Sequence, residues 1–181
     1  MELQRLSIKL FSESTNVKPP EFVPVFHAWI RNQKLKDHLM IDVSDYNHVP
    51  DGPGTLLVTH EGNFSLALAE GKLSLLYQRK RFLEGTLTER LNTAFKALLN
   101  ASELLELEPD FRNRLSFDRN SFWVISNDRL NLPNTDQSFE ELRPALSELA
   151  TEFFGHDHFS LNCNSGEKER LSVMVESSVL N

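Results

Sequence analysis

The sequence predicts an α+β fold in which three main helices cover one side of an antiparallel sheet of about ten short strands. Three observations predict it. Short runs of period-two alternation recur from Leu6 to Val175, separated by Gly, Asn, Asp and Pro turns. Three longer stretches switch to the helical period of 3.6. Forty per cent of the 181 residues are hydrophobic and thirteen are Phe, enough for a substantial core in a single domain over 1–181.

Leu6, Ile8 and Leu10 alternate with Ser7 and Lys9, as a half-buried strand does. Pro19 and Pro20 break the chain and open a helix whose Phe22, Val25, Phe26, Trp29 and Ile30 share one face. Pro24 lies in the first turn, where its missing N–H loses no partner. His27 is off the apolar stripe and reads as a solvated side chain. Leu39, Ile41 and Val43 make a second strand, followed by a loop with Pro50, Gly52, Pro53 and Gly54 as turn residues. Strands then follow at 56–60, at Phe64, Leu66 and Leu68 after a Gly62-Asn63 turn, and at Leu73, Leu75 and Tyr77 after Gly71. The stretch 42–81 holds most of the unusual residues and is expected at the centre of the sheet.

Thr86 and Glu89 have the spacing of a capping box, in which each side chain satisfies a backbone donor of the first turn. They open the longest helix, with Leu87, Leu91, Ala94, Leu98, Ala101 and Leu105 at helical spacing until Glu108-Pro109. Three short strands are expected next, at Leu115 and Phe117, at 122–125, and at Leu130 and Leu132. A third helix, capped within 134–138, carries Leu142, Leu146, Leu149 and Phe153 and ends at Gly155. Pro144 lies too deep for a free position if Ser138 is the cap, so the helix either kinks there or starts nearer Arg143. A closing hairpin uses Phe159, Leu161 and Cys163, a turn at Asn164-Ser165-Gly166, then Leu171, Val173 and Val175. Residues 55–99 and 114–154 share a plan of three strands and a capped helix. That reads either as an internal duplication or as the ordinary likeness of antiparallel meanders.

A formal charge of −7 argues against a nucleic-acid binder, because phosphate binding needs clustered Lys and Arg. The single Cys163 excludes an intramolecular disulfide and a cysteine zinc cluster. The first residues lack the apolar run of a signal peptide and no stretch approaches the ~18 apolar residues of a membrane span. A soluble, cytoplasmic protein without a membrane partner is the expectation.

The segments 42–46 (DVSDY), 60–64 (HEGNF), 79–81 (RKR) and 127–130 (NDRL) resemble a family of bacterial proteins with no assigned activity. The resemblance spans most of the chain and carries over no catalytic or binding residue, so candidate sites rest on residue chemistry.

Asp45, His48, His60 and Glu61 have the ligand types of a zinc-like site. The intervening strand of about six residues, at ~3.3 Å each, sets the two histidines about 20 Å apart. No metal centre and no cofactor is therefore expected. Two smaller groups remain. At the loop end, Asp45 and His48 are candidate catalytic residues, a carboxylate able to orient an imidazole for proton transfer. The alternative is an Asx-turn, with Asp45 accepting backbone hydrogen bonds. No nucleophile elbow, HExxH helix or P-loop is present.

At the far end, His60, Glu61, Tyr77, Arg79 and Arg81 are candidate ligand-binding residues, with the start of the second helix close by to attract an anion. The alternative is that Glu61, Glu84 or Glu89 neutralises these arginines as surface pairs. His156 and His158 suit a metal pair or a solvated turn. The reading is a non-catalytic protein that binds a small anionic ligand or a protein partner. The alternative is an enzyme of unassigned class using Asp45 and His48; a cleft lined by that pair would mark the enzyme, a flat surface the binding protein.

Overall fold

One antiparallel sheet organises the chain, built from β1 (Leu6–Phe11), β2 (Met40–Tyr46), β3 (Gly54–Thr59), β4 (Gly62–Ala69), β5 (Lys72–Arg79), β6 (Ser121–Ser126), β7 (Phe159–Cys163) and β8 (Ser172–Ser177). The helices are α1 (Phe22–Asn32), entered through a 3-10 turn at Pro19–Glu21, α2 (Leu87–Glu106) and α3 (Asp136–Phe154). The computed structural model describes residues 3–13, 16–164, 166 and 169–179; Ser165 of the expected hairpin turn lies outside them. The strand order is β2-β3-β4-β5-β1-β6-β8-β7.

Alternation along each strand becomes two distinct faces across the sheet. Val43, Leu57, Phe64, Tyr77, Ile8, Val124, Val173 and Cys163 pair in register through all eight strands. This row belongs to, or packs against, the same core that takes Phe22 and Trp29 of α1, Leu91 and Leu98 of α2, and Leu142 and Leu149 of α3. The neighbouring row, Ser44, Leu56, Ser65, Leu76, Lys9, Trp123, Met174 and Asn162, points to the opposite side. All three described helices therefore lie on one side of the sheet.

The stretch 42–81 is one flank of the sheet, not its centre, because β1 inserts between β5 and β6 and leaves β2 as an edge. A bulge between Met40 and Asp42 shifts the alternation on that edge. Met40 and Val43 pack against the core, while Leu39 and Ile41 are 64% and 56% exposed. Gly54 starts β3 at φ +66°, and a Cβ there would come within 2.1 Å of the Leu66 carbonyl oxygen, so only glycine fits.

Among the described residues the sheet has eight strands, close to the about ten that the alternation predicts. Leu115 and Phe117 contribute only an isolated bridge from Phe117 to Ser12. Leu130 and Leu132 lie in a turn nucleated by Asp128, whose carbonyl accepts from Leu132 N at 2.8 Å and whose Oδ1 accepts from Asn131 N at 3.2 Å. Local Asx chemistry overrides the alternation there, and Leu130 is 95% exposed. Residues 114–154 thus supply β6 and α3, not the three-strand plan of 55–99.

The helices follow their signals more closely. Thr86 and Glu89 form the capping box, with Glu89 N donating to Thr86 Oγ1 at 3.2 Å and Thr86 N to Glu89 Oε2 at 2.6 Å. The third helix is capped by Thr135, which accepts from Ser138 N at 3.2 Å, and it runs through Pro144 without ending. Gly155 closes it in the left-handed region at φ 74°. No described helix is long and apolar enough to cross a membrane.

Candidate functional site

The far end of the flank β2–β5 gathers polar side chains from three separate elements. Helix α1 ends at Gln33, whose φ of 47° turns the chain so that Lys34 N bonds the Trp29 carbonyl at 3.0 Å. The following residues run to β2, tied to the β3–β4 turn where Leu39 N donates to Glu61 Oε2 at 2.8 Å and His60 N to the Leu39 carbonyl at 2.9 Å. That tether sets His38 against Phe64 and Tyr77, edge-on at ring separations of 5.2 and 5.4 Å. Tyr77 fits because β4 opens with glycine: a Cβ on Gly62 would lie 2.7 Å from the Tyr77 ring.

Three side chains then form one polar chain through the buried Tyr77. Arg79 Nη1 donates to the Tyr77 hydroxyl at 3.2 Å, and the hydroxyl lies 2.9 Å from His38 Nε2. A guanidinium only donates, so the phenolic oxygen accepts from Arg79, and the direction of its bond with His38 Nε2 follows the imidazole tautomer. Burial lowers the His38 pKa, against Glu61 and Asp37, which favour the charged form, and with Arg79, which opposes it. Burial also raises the Tyr77 pKa, partly offset by the Arg79 bond. For Glu61, burial acts upward, but hydrogen bonds from the Leu39 and Glu61 amides and the neighbouring His38 and His60 outweigh it, leaving the carboxyl below its ordinary range.

His38 and Arg79 line a groove of about 740 Å³ between the α1–β2 segment and α2. Its charged groups are Lys34, Lys36, Arg79 and Lys96, against one carboxylate, Asp37. Ala97 and Leu104 give it an apolar flank, with Thr93 and Asn100 between. Lys96 also lies 3.4 Å from Glu152, an exposed pair. A smaller cleft of about 470 Å³ shares Lys36, Asp37 and His38 and extends to Glu61 and Met40.

Arg79 and Arg81 make no ion pair with Glu61, Glu84 or Glu89 among the described residues. Glu61 serves Leu39 and Glu89 serves the cap of α2. The expected partnership with a helix N-terminus differs from what is found. Helix α2 presents its middle, from Thr93 to Leu104, while its first turn is closed by its own capping box. Arg81 Nη2 lies 3.3 Å from His60 Nδ1, directed at the β3–β4 turn and outside the residues lining the groove. Tyr77 and Arg79 are therefore brought together, with Glu61 in the adjoining cleft, and Arg81 with His60 forms a separate exposed contact.

At the opposite end, Asp45 Oδ1 accepts from Asn47 N at 2.9 Å and Asn47 Nδ2 at 2.6 Å. These bonds lower its pKa, with His48 a minor contributor. The carboxylate closes an Asx-turn, and both Asp45 and His48 are exposed. Neither lines the groove or the clefts on the open side of the sheet. Strand β3 separates His48 from His60, as the sequence-order pairing of β2, β3 and β4 requires. His156 stacks on Phe154 and His158 lies 3.7 Å from Asp157. Among the described residues, no group of three or more His, Cys, Asp or Glu is arranged to hold a metal ion.

His38, Lys34, Lys36 and Lys96 are the site residues that sequence reasoning misses. Lys34, Lys36 and His38 stand at alternate positions in a short segment between a helix and a strand, and that spacing is the one local signal they give. Lys96 reads as an ordinary solvated helix residue. The chain matches no protein-family model, no curated protein and no solved structure.

Proposed function

We propose that this chain is a binding protein that holds a small organic anion, a phosphorylated or polycarboxylate metabolite, in the groove between α2 and the α1–β2 segment. One observation carries the reading. Arg79 is anchored by the Tyr77 hydroxyl and the Arg81 carbonyl and, among the described residues, by no carboxylate, in a groove with three lysines and a single Asp. A guanidinium held in place but electrically unpaired suits bidentate contact with phosphate or carboxylate. The chain is acidic overall, and the local excess of cations draws an anion to this spot despite a formal charge of −7. The volume of about 740 Å³ falls within the roughly 300–1,000 Å³ of small-molecule clefts. The Ala97 and Leu104 flank favours a ligand with an organic body over a bare ion.

The acid–base alternative gains no support, because Asp45 is engaged in its turn and lines none of the clefts described above. A thermal-denaturation series with inorganic phosphate, citrate and adenosine monophosphate tests the proposal. At a hundredfold excess over the dissociation constant, binding stabilises by about 2.7 kcal/mol. For a domain of this size that is a Tm rise of roughly 5–10 °C. Arg79→Ala abolishes the rise and Arg81→Ala leaves it. A rise that survives Arg79→Ala, or no rise with any of the three, overturns the reading.

A further inference from the structure

The side of the sheet away from the helices carries a half-buried apolar row across an otherwise polar face. A solvated antiparallel face carries polar and charged residues at its outward positions. Here Leu56, Leu76, Trp123 and Met174 stand in one row across the strands, among the polar positions Asn63, Ser65, Ser74, Gln78 and Ser172. The central cation, Lys9, is withdrawn between two rings, with Nζ 4.7 Å from the Phe11 centroid and 5.3 Å from that of Trp123.

Charge on this face is sorted by end. Beyond Phe11 a cleft of about 420 Å³ is lined by Glu13, Glu70, Asp118 and Glu176, with Lys72 the one cation. At the other end of the strands a cleft of about 540 Å³ is lined by Arg129 and Arg170, with Glu169 the one carboxylate. Glu176 and Arg170 lie on and just before β8, six positions or about 20 Å apart. A two-fold axis in the plane of the interface, perpendicular to the strands, turns the two open faces together and lays the acidic end of one copy on the basic end of another. The area also fits. Eight strands ~4.8 Å apart and roughly six residues long present on the order of 760 Å², close to the ~800 Å² per partner of a stable interface.

We propose that this open face is the contact surface of a homodimer, two sheets packed face to face about a two-fold axis near Trp123. A second copy is the occupant because its ends match both ends of the face, whereas a partner of one charge matches only one. The surface lies across the sheet from the anion groove and does not depend on it.

Sedimentation equilibrium of the full chain, from low to high micromolar concentration, reads twice the 20.8 kDa chain mass. Glu70→Lys with Glu176→Lys makes both ends basic, and Arg129→Glu with Arg170→Glu makes both acidic. Each double variant alone is monomeric, and an equimolar mixture recovers a dimer containing one of each. Trp123→Arg is monomeric at every concentration and keeps the Arg79-dependent thermal response, which also decides the matter if a charge-reversed chain fails to fold. A monomeric wild type overturns the proposal and leaves the face to a foreign partner. A dimer that survives Trp123→Arg, or a mixture that stays monomeric, places the contact elsewhere and overturns it equally.

Discussion

Tyr77→Phe removes one oxygen atom from the middle of the candidate site and changes little else. Tyr77 is 0% exposed, and its ring packs on Phe64 at 4.6 Å between centroids. Phenylalanine keeps that packing and leaves no void for a neighbour to fill. What goes is the hydroxyl that accepts from Arg79 and meets His38 Nε2. Arg79, partly exposed, recovers water as a partner, whereas Nε2 sits in a partly buried setting and does not. Two net hydrogen bonds of about 0.5–1.5 kcal/mol each give an expected loss of roughly 1–3 kcal/mol. Urea denaturation at pH 8, where His38 is neutral whether folded or unfolded, measures it without a protonation term. The slope with denaturant stays the same, because the buried surface does not change. A loss below about 0.5 kcal/mol would show that the hydroxyl contributes nothing beyond its ring, and one above about 4 kcal/mol would mean the ring itself repacks.

His38 also gives a pH test. Its folded pKa lies below the unfolded value of about 6.5, so the unfolded chain binds more protons in the window between them. Its contribution to stability is complete above about pH 6.5 and is lost as the pH falls through the folded pKa, at no more than ~1.4 kcal/mol per pH unit. His38→Gln removes that slope from paired thermal melts, and equal slopes in both proteins would contradict the assignment. Leu98→Ala, at a position 0% exposed on α2, costs about 2–5 kcal/mol in chemical denaturation; a cost under ~1 kcal/mol would mean the site collapses around the gap. Pro144→Ala restores a helical N–H in the interior of α3, at an exposed position. It stabilises by about 2 kcal/mol, the ~3 kcal/mol proline penalty less up to ~1 kcal/mol of unfolded-state entropy; a lower Tm would show that α3 needs the proline geometry.

What the sequence determined by itself is the part of the fold decided over a few residues. The apolar stripe from Phe22 to Trp29, the Thr86–Glu89 cap, the Gly155 terminus and the meander from β2 to β5 each depend on neighbours within one or two turns. Their patterns are legible for that reason. The same short reach explains the misreadings at Leu115 and Leu130, where alternation holds but a bridge and an Asp128 turn capture the backbone. It also explains the candidate site. Arg79 and Tyr77 share a strand face and were legible as neighbours, as period-two alternation requires.

Only the tertiary structure decided that β1 enters the middle of the sheet, and that His38, Lys34 and Lys36 come to Arg79 from the far side of three strands. Strand pairing and groove formation join residues tens of positions apart. Which partners meet is set by the shared burial of one core face and by the Glu61 tether to Leu39, neither of which leaves a periodic trace in the chain. Which face the one-sided helix layer covers is likewise a tertiary result. Outward rows with Trp123, Met174 and Leu76 carry the same alternation as inward ones, and only packing shows which of the two the helices cover.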